Sequence, residues 1–376
     1  MELQIGTDEF SRALYRAQGI VEKKSTMPIL ASVLLEATED NKLRVSAFDL
    51  EIGVQTLHPA EVRKAGSVAL KHKELYDIVR ALPERMLVLK REANNRVKLT
   101  CGAAEFNIVG QPAEDYPPFP RAEKVGLVKI DRTVLSEMIE KTAFAISADE
   151  TRHNLNGVYF EVGEGNLMRM VATDGHRLSM VQRELREIFA LKRGVIVPRK
   201  GLFELRRLLD EESTGDAELG FTETSGVFKR GDVTMVMRLI DGTFPDYQQV
   251  IPKEADRTVT VDRPRLLETL KRMSLLSSDR STNAVKLELS EGNLKVTSQN
   301  PDLGDAKEEI PVTYKGQPLQ IGFNARYLMD VLQVVDAAQM NVELCDELSP
   351  GVLKPTPTAE PVAGARYTAV IMPMRI

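Results

Sequence analysis

The run Ala172-Thr-Asp-Gly-His-Arg-Leu178 brings together a carboxylate, an imidazole and a guanidinium, on Asp174, His176 and Arg177. An Asp–His pair can serve as a general base and its orienter, so a metal-free hydrolase is one chemistry these residues permit. Little else completes such a centre. No nucleophile motif accompanies the pair, and His58, His72 and His153 stand singly, without metal-ligand spacing. Gly163, Gly165 and Gly175 form neither a P-loop nor a dinucleotide-binding glycine pattern, which argues against a nucleotide-driven motor. Asp174-Gly175 also fits a tight turn between two strands, serving binding rather than catalysis. No catalytic residue, metal or cofactor is assigned.

The elements that hold this run recur. Leu43-Arg-Val-Ser-Ala-Phe-Asp49, Met168-Arg-Met-Val-Ala-Thr-Asp174 and Leu294-Lys-Val-Thr-Ser-Gln-Asn300 each alternate apolar with polar residues and end on Asp or Asn. That is the period of a half-buried strand leading into a turn. The repeat is about 125 residues, a third of the chain. Before each strand lies a helix-period segment (Phe10, Leu14, Ala17; Leu135, Met138, Ile139, Thr142; Leu266, Leu267, Leu270, Met273), each after an acidic start at Asp8, Asp131 or Asp262. After it comes a second helix, at Leu75–Leu82, Leu202–Leu209 and Tyr327–Val334. Proline- and glycine-rich stretches, Pro112 to Gly126 and Pro252 to Asp256, divide the chain into domains at 1–124, 125–253 and 254–376. Ser349 through Gly364 carries four prolines and reads as a long surface loop. Two amphipathic helices per unit on antiparallel strands make an α+β fold, with sheets on one side and six helices on the other.

The chain has 376 residues, 43% hydrophobic and 28% charged, with a net charge of −5. These values exclude disorder and a disulfide-stapled scaffold. Cys101 and Cys345 lack metal spacing and suit a reducing cytoplasm, no export signal is visible at Met1-Glu2-Leu3-Gln4, and no run spans a bilayer. The six helical segments are together net basic and the remainder is acidic. Lys23 and Lys24, Lys71 and Lys73, Arg199 and Lys200, Arg206 and Arg207, and Arg265, Lys271 and Arg272 gather at helix starts and turns. Helices facing a polyanion would carry this asymmetry, although solvated helix faces are often basic too. Contacts of this kind engage phosphate without reading sequence. With no helix-turn-helix, zinc spacing or tryptophan, base readout and stacking are not expected.

Together with the Ala172–Leu178 run, Val195-Ile-Val-Pro-Arg-Lys-Gly201, Asp241-Gly-Thr-Phe-Pro-Asp-Tyr247 and Met372-Pro-Met-Arg375 resemble the bacterial DNA polymerase III beta subunit family, the replication sliding clamps. The resemblance spans essentially the whole chain. It implies three sliding-clamp domains forming half of a six-domain ring, a head-to-tail homodimer that surrounds double-stranded DNA and slides on it irrespective of sequence. It implies DNA-facing positions at Lys24, Lys73, Arg152, His153, Asn154, Arg199 and Lys200, with His153 and Asn154 standing where the best-known member has tyrosines. It implies an interface of Phe106 and Ile108 on an edge strand with Leu275 and Leu276, the latter pair fitting core packing equally well. It also implies a hydrophobic groove for short peptides of the replicative polymerase, the clamp loader, other polymerases and repair proteins. The matching groove positions are Leu155, Thr173, Gly175, His176, Arg177, Leu178, Pro245, Val250, Asn324, Tyr327, Leu348, Val370, Met372, Pro373 and Met374. Gln249 stands where a basic residue is expected, which weakens a preference for acidic peptides. The competing readings are a protein-binding scaffold that never encircles DNA, and the hydrolase built on Asp174 and His176.

Overall fold

The computed structural model describes all residues except 22–26, 84, 121–124, 188, 190, 192, 212–216, 277–282, 358–363 and 376. The described helices are α1 (Thr7–Ala17), α2 (His72–Ala81), α3 (Arg132–Ala143), α4 (Arg199–Asp210), α5 (Arg263–Ser274) and α6 (Ala325–Val334). The chain divides into two compact units, Met1–Arg132 with Lys200–Leu239, and Thr133–Arg199 with Ile240–Ile376.

In the first unit, a five-stranded antiparallel sheet runs Glu61–Lys64, Glu2–Gly6, Met86–Arg91, Arg96–Cys101, Ala104–Val109. An eight-stranded sheet runs Val128–Ile130, Ala217–Phe221, Ser225–Arg230, Val233–Arg238, Ile52–Pro59, Lys42–Phe48, Ser32–Thr38, Gly66–Lys71. Helix α1 buries Phe10, Ala13, Leu14 and Ala17, one stripe at helical spacing, and packs against α2. Asp8 falls inside its first turn rather than at the cap, which is Gly6. An acid there still complements the positive end of the helix dipole. The C-terminal carbonyls of α1 are met by Arg207, whose guanidinium donates to Tyr15 and Arg16 oxygens at 2.6 and 2.8 Å. The proline-rich stretch after Pro112 is docked, because buried Tyr116 accepts from the Phe48 amide and donates to the Ser32 carbonyl.

In the second unit, an eight-stranded sheet runs Val195–Pro198, Gly157–Gly163, Leu167–Thr173, Arg177–Glu184, Arg366–Ile371, Gly351–Pro355, Gln339–Leu344, Arg257–Asp262. A four-stranded sheet runs Gly304–Pro311, Asn293–Asn300, Ala284–Ser290, Leu319–Asn324. Helices α5 and α6 pack together, and Asp262 caps α5 by accepting from the Arg265 amide at 2.9 Å. The long loop expected over Ser349–Gly364 is corrected. Gly351–Pro355 is an interior strand with Val352 and Leu353 buried, and residues 358–363 lie outside the described part. Consecutive apolar residues suit a strand covered on both faces, and Pro355 sits at its end, where the missing amide breaks no interior bond.

The three repeated strands are present, and the polar residue closing each does the same work. Asp49 Oδ1 accepts the amides of Glu51 and Ile52 at 2.9 and 2.6 Å. Asp174 Oδ1 accepts those of His176 and Arg177 at 2.9 and 3.0 Å. Asn300 Oδ1 accepts those of Asp302 and Leu303 at 2.9 and 3.2 Å. Each is a side-chain-closed turn.

Candidate functional site

In the second unit, the strands Leu167–Thr173, Arg177–Glu184 and Arg366–Ile371 lie side by side, pairing Thr173 with Leu178 and Leu178 with Val370. Their apolar side chains join Leu155, Ile196, Phe244, Tyr247 and Val352 in one buried cluster, in which Tyr159 stacks on Phe244 at 4.9 Å. Above this cluster opens a pocket of about 160 Å³ lined by Leu155, Thr173, Gly175, Arg177, Leu178, Pro245, Asp246, Tyr247, Val250, Val370 and Met372. Val250 and Met372 are 46% and 40% exposed, so large apolar side chains stand at its rim. The Met372 amide donates to the His176 carbonyl, which ties the C-terminal segment to the turn.

The polar half of the site is built on Arg177. Its guanidinium bonds Asp174 Oδ2 at 3.0 Å, Asp330 Oδ2 at 2.5 Å and the Phe144 carbonyl at 2.6 Å, and lies 4.4 Å from the Tyr327 ring centre. Burial, then the Asp174 charge, raises the Tyr327 hydroxyl pKa. Asp174 is thus spent on its turn and on Arg177 rather than on orienting the His176 ring, which removes the support for the hydrolase reading. Gly175 adopts φ +89°, and a Cβ there would come within 2.9 Å of the Arg152 guanidinium. Tyr247 donates to Glu161 Oε1 at 2.5 Å, and burial first, then that carboxylate, pushes its pKa up to about 12.

The remaining groove candidates divide. Asn324 caps α6, its Oδ1 accepting the amides of Arg326 and Tyr327, and Tyr327 lies under Arg177. His176 is exposed on the turn, and Pro373 is half-buried between Met372 and Met374. Leu348 and Met374 line a second cavity of about 1050 Å³ over the four-stranded sheet, where the Met374 amide bonds the Gly322 carbonyl.

Among the DNA-facing candidates, Lys24 lies outside the described residues. Lys73 is exposed on α2, whereas Lys200 is ion-paired with the buried carboxylate of Asp49. In the second unit Arg152 pairs with Asp149 at 3.4 Å, Asn154 donates to the Thr243 carbonyl at 3.0 Å, and His153 and Arg199 are exposed. Of the other clustered cations, Lys271 and Arg272 pair with Glu268 and Glu308. Phe106 and Ile108 lie on Ala104–Val109, an edge strand, with Phe106 37% exposed. Leu275 is 78% exposed and Leu276 half-buried, so core packing does not account for Leu275.

The chain matches the DNA polymerase III beta subunit three times in order, its N-terminal domain at residues 1–120, its central domain at 129–246 and its C-terminal domain at 248–375. The chain belongs to this family. It is 36% identical over 383 residues to the beta sliding clamp of Caulobacter vibrioides and 34% identical over 379 residues to that of Pseudomonas aeruginosa, covering 100% of each chain in both pairs. The solved sliding clamp of Bartonella birtlesii, bound to griselimycin, superposes with a TM-score of 0.93 at 35% identity. That of Pseudomonas aeruginosa, also bound to griselimycin, gives 0.92 at 32%. Both superpositions cover 100% of each chain. The three clamp domains are therefore those of the beta subunit fold.

Sequence reasoning missed Asp246 and Tyr247 at the pocket and Asp330 behind it. Asp246-Tyr247 closes the Asp241–Tyr247 motif, of which the resemblance assigns only Pro245 to the groove. Asp330 carried no signal, because its partner is 153 residues away.

Proposed function

We propose that the chain is a replication sliding clamp, a processivity factor of three clamp domains at 1–124, 125–253 and 254–376. Two copies join head to tail into a ring around duplex DNA, and the apolar pocket with its C-terminal strap tethers the replicative polymerase, the clamp loader and other polymerases and repair proteins by short peptides. The support beyond family membership lies in the sheet edges. Isolated bridges at Ala69–Gln111, Ile196–Ile240, Thr260–Thr313 and Gly322–Met374 cover four of the eight outer edges. Among the rest, Val128–Ile130 and Glu61–Lys64 are short. Ala104–Val109 and Gly304–Pro311 are longer, in the first and third domains, and the former displays Phe106 and Val109. An uncovered edge with exposed apolar residues templates pairing with another chain. Pairing these two between copies would join five strands to four, and a heterologous contact of this kind closes into a ring when its rotation permits.

Topological enclosure explains why modest charge is enough. A ring around DNA leaves only by opening or by sliding off an end, so weak phosphate contacts at Lys73, Arg152 and Arg199 permit sliding. Two unpaired cysteines, Cys101 and Cys345, suit the cytoplasm. The test is assembly with a clamp loader on nicked circular DNA, followed by linearisation and gel filtration. Retention on the circle with loss from the linear form is expected. Equal retention on both would mean ordinary electrostatic binding and overturn the reading, and failure to load on either would favour a scaffold.

A further inference from the structure

The charge of the apolar pocket distinguishes what it takes, given the reading of it as a peptide site. Arg177 is the one cation among the described lining residues, and it is flanked by two carboxylates, Asp174 at 3.0 Å and Asp330 at 2.5 Å. Its charge is more than neutralised within the protein. Arg152, at the rim, is paired with Asp149 and turned to the Asp174 carbonyl. Asp246 lines the same pocket and is exposed at its mouth. Its Oδ1 accepts the Gln248 amide at 3.2 Å and its Oδ2 accepts Gln249 Nε2 at 2.9 Å. Both partners are neutral, and no salt bridge to it occurs among the described residues. The other polar groups are committed, Thr173 to its turn and Tyr247 to Glu161. The pocket thus couples an apolar wall to one carboxylate that retains acceptor capacity and has no counter-ion among the described residues.

We propose that this pocket selects peptides carrying a lysine or arginine beside their apolar anchors, with Asp246 as the specificity-determining residue. The apolar side chains supply most of the affinity by filling the pocket over Leu178 and Val370, as in other concave sites with few placed polar groups. Asp246 supplies discrimination. A cation beside it gains a charge-assisted hydrogen bond, whereas an acidic residue meets a net negative rim and repels it. Because Asp246 is exposed, the preference is modest and sensitive to salt.

The test uses the full-length protein and three synthetic peptides that share two apolar anchors and differ only in the neighbouring residue, Lys, Ala or Glu. Calorimetry at low salt should show the Lys peptide about two- to fivefold tighter than the Ala peptide, with the Glu peptide weakest. High salt should narrow the spread. Asp246→Asn, which keeps an acceptor for the Gln248 amide, should bring the Lys and Glu peptides together, with its thermal midpoint confirming an intact fold. Equal or tighter binding of the Glu peptide, or a Lys preference that survives Asp246→Asn, overturns the proposal while leaving the peptide site standing. Failure of all three to bind overturns both.

Discussion

Asp49, Asp174 and Asn300 show how one side chain decides a turn. Each accepts two successive amides at the end of a strand. Asp49 adds a second duty, holding Lys200 with a carboxylate that is itself buried. Asp49→Ala should therefore lower stability by about 2–3 kcal/mol, since two backbone donors and a cation lose their acceptor. A urea midpoint unchanged from the parent would refute that account. Arg177 supports its surroundings likewise. Arg177→Ala leaves Asp174 and Asp330 without their shared cation, and should cost about 3 kcal/mol and weaken peptide binding together. A variant that melts normally and still binds peptide would mean the guanidinium is dispensable. The turns were legible in sequence because a short polar residue ending an alternating run has a local explanation. The Asp49 partner of Lys200 and the Asp330 partner of Arg177 were not, because ion pairs between residues distant in the chain leave no local pattern.

At the level of elements, α1 and the strand Ile52–Pro59 enclose His58. Its Nδ1 lies 2.6 Å from Glu9 Oε1 and its Nε2 2.8 Å from Thr56 Oγ1. A neutral ring satisfies both with its proton on Nδ1, donating to Glu9 and accepting from the hydroxyl. Burial holds the pKa of this imidazole below its usual value, with the Glu9 hydrogen bond opposing. As pH falls through about 6.5 the unfolded chain takes up the proton first, so stability is full above that value and declines below it. His58→Gln should flatten the urea midpoint between about pH 7.5 and 5.5, and an identical slope would refute the assignment. His72, also held low by burial, contributes a residual slope of the same sign. The helices and repeated strands followed from apolar periodicity. The strand Gly351–Pro355 did not, because the prolines at 350, 355 and 357 outweigh a short apolar run too brief to show a period. The C-terminal segment is the opposite case, with Met372 and Met374 facing two cavities. Removing residues 372–376 should abolish peptide binding and leave the dimer intact. Unchanged affinity by calorimetry would remove this segment from the groove.

For the whole molecule, assembly rests on what a single chain leaves uncovered. Leu275, at the C-terminal end of α5, is a largely exposed leucine, and Phe106 lies on an edge strand. Replacing Leu275 and Leu276 with Ala should shift the dimer towards monomer at low concentration. A sedimentation profile unaltered by both changes would place the interface elsewhere.

The sharing of sheets has a consequence for heredity. Each eight-stranded sheet takes four strands from the central domain and four from a neighbour. The unit that repeats in the gene is therefore not the unit that folds. A cassette encoding residues 125–253 alone would express two half-sheets with raw edges, liable to self-adhere, and a transplanted copy would have to match the strand register of its new neighbours. Divergence between the three copies is thus constrained in pairs: a change along one seam must be answered on the opposite strand, whereas the helices can drift separately.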